Sequence, residues 1–255
     1  MDPPRLGRGS TLTVRKASRR LDKQTVAIKI IADGARPAER RTSPEAQIRE
    51  LNIMLDLKHE SIVQLLDHAR WDNATVLVLE IAPYRTLGQL VEDRKMDPMQ
   101  VGNIMEQLLR ALQYLHPHNI IHRDINLENI LLFTEDYDCL RCKLADFTHA
   151  QEVTQGTMPS ETVGTLAYMS PECARGLKCD HRADIYAAGK VAFRLLTGSS
   201  GLEDEHSVPQ TPEQLLIALG AFEPATHSQE RASQMPVESC SAPCSSTNKA
   251  HVLVR

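Results

Sequence analysis

Along the first third of the chain, apolar residues come in short runs divided by glycine or charged turns. Residues 5–31 read as strand, turn, strand, turn, strand: Arg5-Leu6, the turn Gly7-Arg8-Gly9-Ser10, a segment from Thr11 to Ala17, a charged turn, and Thr25 to Ile31. The period then changes. Ile48, Leu51, Ile53, Met54 and Leu55 recur at helical spacing behind Ser43-Pro44, a helix-start signal, so a helix is predicted over residues 44–57. Two further strands are predicted at residues 62–66 and 74–81. Five strands with one helix make a small antiparallel lobe, residues 5–82.

After Pro83 the pattern turns helical, with helices predicted over residues 87–93 and 99–115 and short strands alternating with loop over 120–133. Residues 154–165, rich in Ser, Thr, Gly and Pro, read as a surface loop. Residues 180–197 read as a mostly apolar and therefore buried helix, and 212–222 as a weaker one. Residues 223–255 hold too little apolar surface to order themselves and are predicted to be a disordered tail. The expected fold is α+β with two lobes, the second (residues 83–222) mainly helical.

The net charge of −4 is spread through 255 residues without a basic stripe, so nucleic acid is not an expected partner. No apolar run reaches the roughly 18 residues that span a bilayer, and residues 1–10 lack the apolar core of a secretory signal. An intracellular protein, cytoplasmic or nuclear, without membrane contact is expected. Of the six cysteines only Cys139-Leu-Arg-Cys142 form a tight pair, inside a short apolar-alternating segment. Strand or turn cysteines fit that setting better than a metal or redox site, and all six are expected as reduced thiols.

Gly7-Arg8-Gly9 between two strands suits a backbone that must approach phosphate oxygens, although a plain hairpin would use the same residues. Further pieces follow in order. Val26-Ala27-Ile28-Lys29 puts a lysine on the third strand, and Glu50 lies on the helix after it. Then come Ile121-His122-Arg123-Asp124-Ile125-Asn126-Leu127-Glu128-Asn129, Leu144-Ala145-Asp146-Phe147-Thr148, and the run from Gly164-Thr165 to Ser170-Pro171-Glu172. The ordered set resembles the eukaryotic protein kinase signature over roughly residues 5–198.

That resemblance implies ATP and Mg²⁺ as cofactors and a protein substrate. It assigns Asp124 to the substrate hydroxyl, Asn129 and Asp146 to magnesium, and Lys29 with Glu50 to the phosphates. Leu6, Gly7, Gly9, Val14, Ala27 and Leu131 match residues around the nucleotide, and Glu80 and Ala82 match the hinge that hydrogen-bonds adenine, beside Leu79. Met54, Leu65, His122 and Phe147 match stacked side chains that join the lobes, and Asp184 matches a buried aspartate that anchors the catalytic loop. Gly164-Thr165 is similar to the serine/threonine class. Tyr114-Leu115-His116 and Asp138-Cys139-Leu140 look like the calmodulin-dependent group and its checkpoint kinases.

The pattern is also broken. Leu12 replaces the third glycine of the phosphate loop, Asn126 replaces a lysine of the catalytic loop, and Thr148 replaces the glycine after Asp146-Phe147. Asn126 cannot offset charge developing on a transferring phosphoryl group, so slow catalysis is expected, and a pseudokinase that serves as a scaffold remains the alternative. Thr148 is stiff where glycine permits wide φ and ψ. Glu161 falls where regulated kinases carry a phosphothreonine, so its carboxylate is expected to pair with Arg123; a solvated loop glutamate is the alternative. Thr154, Thr157, Ser160, Thr162 and Thr165 are candidate regulatory hydroxyls. Glu128 matches an acid that reads basic residues before the target, but Thr86 replaces its partner acid. Against the family pattern the second lobe is expected to stop short of its last helices, through truncation, with a partner supplying them, or with the lobe left unstable.

Overall fold

The computed structural model describes residues 5–8, 13–20, 22–32, 44–71, 74–93, 96–134, 136, 139–153, 159, 161–198 and 209–221. The expected tail, Gly9, Leu12, Asp138, Thr154, Thr157 and Ser160 lie outside these residues.

In chain order the small lobe holds β1 (Arg5–Arg8), β2 (Thr13–Ser18), β3 (Thr25–Ala32), α1 (Pro44–Asp56), β4 (Leu65–Trp71) and β5 (Ala74–Glu80). The five strands form one antiparallel sheet in the order β1-β2-β3-β5-β4. Its register sets Lys29 of β3 opposite Val14 on one side and Leu77 on the other. The meander expected over residues 5–31 is present, with an irregularity between Arg5 and Gly7.

The fourth strand differs from expectation, which put it at residues 62–66. Ile62 and Val63 are buried, but against the second lobe: Val63 N–H donates to the Leu144 carbonyl (2.9 Å) and Leu144 N–H to the Ser61 carbonyl (2.9 Å). The strand proper begins at Leu65 and runs through exposed Asp67, His68 and Arg70 at the sheet edge. An edge strand carries charge because apolar edges invite pairing with other chains, and that charge hides it from a hydrophobicity reading.

The second lobe begins with α2 (Leu87–Asp93) and α3 (Pro98–Leu115), followed by the short strands β6 (Ile120–Ile121), β7 (Ile130–Leu132), β8 (Cys142–Leu144) and β9 (Gln151–Glu152). It continues with α4 (Pro171–Ala174), α5 (Arg182–Thr197) and α6 (Pro212–Ala221). A capping box starts α3: Asp97 accepts from Met99 and Gln100 N–H (2.9 Å each) while the Gln100 side chain accepts from Asp97 N–H. Val101, Ile104, Leu108, Ala111, Leu112 and Leu115 make its buried face. Paired β7 and β8 frame the loop between them, and β6 pairs with β9.

The helix expected to be buried throughout, α5, is buried on one side only. Ala183, Asp184, Ala187, Ala188, Val191 and Leu195 face the core, whereas Ile185, Phe193 and Leu196 are exposed. Apolar content alone does not say how many faces of a helix are covered. Gly198, at φ 74°, ends the helix with its N–H on the Arg194 carbonyl.

Two cysteines depart from the reduced state expected of them: Cys173 and Cys179 form a disulfide, with Cα atoms 5.6 Å apart. The turn through Gly176 at φ 66° folds the segment after α4 back on itself, which linear spacing did not reveal. Cys139 and Cys142 are free; Cys142 is buried in β8 and burial pushes its thiol up to about 12. Among the described residues no helix is long and apolar enough to cross a membrane.

Candidate active site

Strand alternation and helix periodicity together bring Lys29 and Glu50 into contact. Ala27, Lys29 and Ile31 share one face of β3, and Glu50, Ile53, Met54 and Leu57 share one face at the end of α1. Lys29 Nζ lies 2.5 Å from Glu50 Oε1, with the two residues 3% and 2% exposed. The same ammonium lies 2.8 Å from Asp146 Oδ1 and 2.8 Å from Thr148 Oγ1. Burial alone would pull the Lys29 pKa down, but the charges of Glu50 and Asp146 and their hydrogen bonds outweigh it and raise it. Desolvation also disfavours ionised Asp146, yet Lys29 and the Thr148 donors hold that carboxyl well below its usual range.

Asp146 sits at φ 63° and Arg123 at φ 67°, left-handed conformations that cost a non-glycine residue roughly 1–2 kcal/mol. Packing around them maintains both. Phe147 is fully buried with its ring 4.9 Å from that of His122, edge to face, and His122 Nε2 is 3.1 Å from the Ala145 carbonyl. Met54 and Leu65 belong to the same core. Asp184, at the start of α5, accepts from the backbone N–H groups of His122 and Arg123 (3.0 Å each), and His116 Nε2 lies 2.9 Å away. One buried carboxylate thus holds the turn that carries Arg123 and Asp124.

Both oxygens of Asp124 are engaged. Oδ1 accepts from Thr165 N–H (2.8 Å), Thr165 Oγ1 (2.7 Å) and Asn126 Nδ2 (3.0 Å), and Oδ2 accepts from Asn129 Nδ2 (3.0 Å). Gly164 permits this approach: at φ 101°, a Cβ there would come within 2.4 Å of the Arg123 carbonyl. Thr165, expected as a regulatory hydroxyl, is therefore tied to Asp124. Thr162 Oγ1 bonds the Cys173 carbonyl (3.3 Å).

Asn126 is 4% exposed and caps the 3₁₀ turn Leu127–Asn129, accepting from Glu128 N–H (2.8 Å) and Asn129 N–H (3.1 Å). Its amide group also reaches Thr165 Oγ1 (3.0 Å). In place of the lysine expected from the resemblance stands a short side chain that ties the loop from Asp124 to Asn129 together.

Arg123 donates to Gln151 Oε1 and, through Nη2, to the Glu161 carbonyl (3.1 Å); Glu161 Oε2 lies 3.8 Å away on a side chain 73% exposed. The backbone contact is the shorter one, and an exposed ion pair contributes only about 0–1 kcal/mol. Glu161→Ala is thus expected to change thermal stability by less than about 1 kcal/mol and to leave limited proteolysis of the 154–165 segment unchanged. Faster cleavage in the variant would show that the carboxylate, rather than the carbonyl, holds Arg123.

Between the lobes runs a cleft lined by Val14, Ala27, Lys29, Leu79, Glu80, Ala82, Leu131 and Asp146. Leu6 and Gly7 lie on β1, where Gly7 pairs with Val14. Glu80 also ties the strands beneath the cleft together, its carboxylate taking Lys143 Nζ (2.6 and 2.8 Å) and Gln64 N–H (2.7 Å). The cleft continues past Asn129 to Asp124, Asn126 and Thr165. A hard cation fits here: Asp146 keeps 42% of its side chain exposed, and Asn129 turns its NH₂ to Asp124, leaving Oδ1 as its free donor atom. Near the mouth Thr86 Oγ1 donates to Glu128 Oε2 (2.9 Å), and Gly88 gives Glu128 room, since a Cβ would meet its Oε1 at 1.9 Å.

Two contributors, Gln151 and Lys143, are not singled out by the sequence; Thr148 is, but only as a lost glycine.

Comparison with known proteins places these features. The family model described as protein kinase domain matches residues 2–247. Serine/threonine-protein kinase 36 of Pongo abelii is 36% identical over 195 residues, 76% of this chain and 14% of the relative. Serine/threonine-protein kinase ULK3 of Rattus norvegicus is 34% identical over 197 residues, 76% of this chain and 40% of the relative. Serine/threonine-protein kinase ATG1c of Arabidopsis thaliana is 32% identical over 194 residues, 76% of this chain and 26% of the relative. The chain thus spans less than half the length of each. These names do not support the narrower calmodulin-dependent or checkpoint grouping.

Proposed function

The chain belongs to the protein kinase domain family, and on that premise we propose that it transfers the γ-phosphoryl group of ATP to serine or threonine hydroxyls of a protein substrate. One observation carries the reading: the Lys29 ammonium is held by Glu50 and Asp146 together at the floor of the inter-lobe cleft. A buried cation aimed where phosphates would lie favours a protein that uses nucleotide over one that keeps only the fold.

In this reading Val14, Ala27 and Leu131 enclose the adenine, and the backbone at Glu80 and Ala82 orients it. Lys29 directs its N–H donors to phosphate oxygens while Glu50 keeps its stem in place. Asn129 and Asp146 would hold Mg²⁺, which supplies charge neutralisation on the phosphate oxygens. Asp124, fixed by Thr165 and Asn129, accepts the hydrogen bond of the attacking hydroxyl and orients it for in-line attack. Asn126 donates hydrogen bonds without a full charge, so the transition state is less stabilised and turnover is slow. A protein that uses ATP works where ATP is kept, which favours an intracellular site of action.

The test is a thermal-shift titration of the chain with ADP and Mg²⁺, set beside Lys29→Met. Nucleotide should raise the melting temperature of the parent and not of the variant. No shift in the parent would contradict the proposal.

A further inference from the structure

Thr148 departs from the family's glycine, and its backbone does not need one: among the described residues left-handed φ values outside glycine occur at Lys23, Asn119, Arg123 and Asp146, and Thr148 is not one of them. What the residue adds is a hydroxyl. An ammonium has three N–H donors, and Lys29 Nζ has three oxygens within 2.8 Å, from Glu50, Asp146 and Thr148. All three donors are committed within this cluster.

The Thr148 hydroxyl accepts from Lys29 and has one hydrogen to donate. Two carboxylate oxygens compete for it, Asp146 Oδ1 at 2.5 Å and Glu50 Oε2 at 3.2 Å. Their surroundings are unequal. Asp146 keeps 42% of its side chain exposed and can exchange a lost partner for water, whereas Glu50 is 2% exposed and cannot. Once Lys29 turns donors toward phosphate oxygens, Glu50 loses part of its share of the ammonium. The hydroxyl is then the group in reach that can partner its second oxygen.

We propose that Thr148 is a nucleotide-linked positioning residue whose hydroxyl donates to Asp146 while Lys29 is shared with both carboxylates, and to Glu50 once nucleotide draws Lys29 toward its phosphates. This rests on the function proposed above. It gives the residue that replaces glycine a role of its own, and the need for its hydroxyl is greatest in the loaded state, where the buried carboxylate depends on it.

The experiment is calorimetric titration of the whole chain with ADP and Mg²⁺, for the parent, Thr148→Val, Thr148→Gly and Thr148→Ser, with melting temperatures taken without nucleotide. Valine keeps the shape and removes the hydroxyl; glycine removes both and serves if valine fails to fold. Both should raise the dissociation constant about tenfold, and serine should restore it to within about twofold of the parent. A merely structural threonine would move the melting temperature and leave the dissociation constant unchanged, which would overturn the inference. So would tighter binding in Thr148→Val or Thr148→Gly, which would make the hydroxyl a brake on nucleotide, or a serine variant that behaves like valine. Absence of binding by the parent itself would instead overturn the proposed function, and this inference with it.

Discussion

Asp124→Asn is expected to lower phosphoryl transfer by roughly 10²–10⁴-fold while leaving the ADP dissociation constant within a few-fold of the parent. The asymmetry follows from the geometry. Asp124 takes four hydrogen bonds from Thr165, Asn126 and Asn129, but its carboxylate does not touch the Lys29 cluster that would grip phosphates. An asparagine offers one acceptor oxygen and an NH₂, so one side of that arrangement would set donor against donor. A loss of about 1–3 kcal/mol of stability should accompany the fall in rate. Initial rates with ATP, Mg²⁺ and a basic protein, together with a melting curve and an ADP titration, measure all three. An unchanged rate would remove Asp124 from the reaction.

Asn126→Lys is expected to act in the opposite direction, raising turnover about 10- to 100-fold, because it restores a cation where charge develops in the transition state. The gain has a structural cost. Asn126 is buried, caps the turn Leu127–Asn129 and bridges Asp124 to Thr165, and a lysine can do none of the accepting. Loss of a cap of this kind costs about 0.5–2 kcal/mol, so the variant should be faster and less stable. A melting curve and a kcat measurement separate the effects. A variant that is less stable and no faster would mean that Asn126 serves the loop alone.

How much of the molecule is legible in its sequence depends on whether a feature is local. Period-two and period-3.6 patterns locate β3, β5, α2 and α3, and the resemblance to the kinase signature groups Lys29, Glu50, Asp124, Asn129 and Asp146 into one site, which the fold brings together along one cleft. Edge position and long-range pairing are not legible. The exposed charges of β4 mask a strand, the apolar pair Ile62-Val63 imitates one, and α5 is covered on only one face. The Cys173–Cys179 bond depends on a turn at Gly176 that spacing does not encode. Thr148 is the instructive residue. Compared with a family pattern it is a missing glycine; compared with its neighbours in space it is an added hydroxyl among three charged groups.

Catalysis by this cleft is measured by transfer of labelled phosphate from ATP with Mg²⁺ to a generic basic protein by the purified chain, beside an Asp146→Asn control. Slow transfer by the parent that disappears in the control is expected. Nucleotide-induced stabilisation of the parent without any transfer would contradict it, and would make the chain a nucleotide-binding member of the family that does not catalyse.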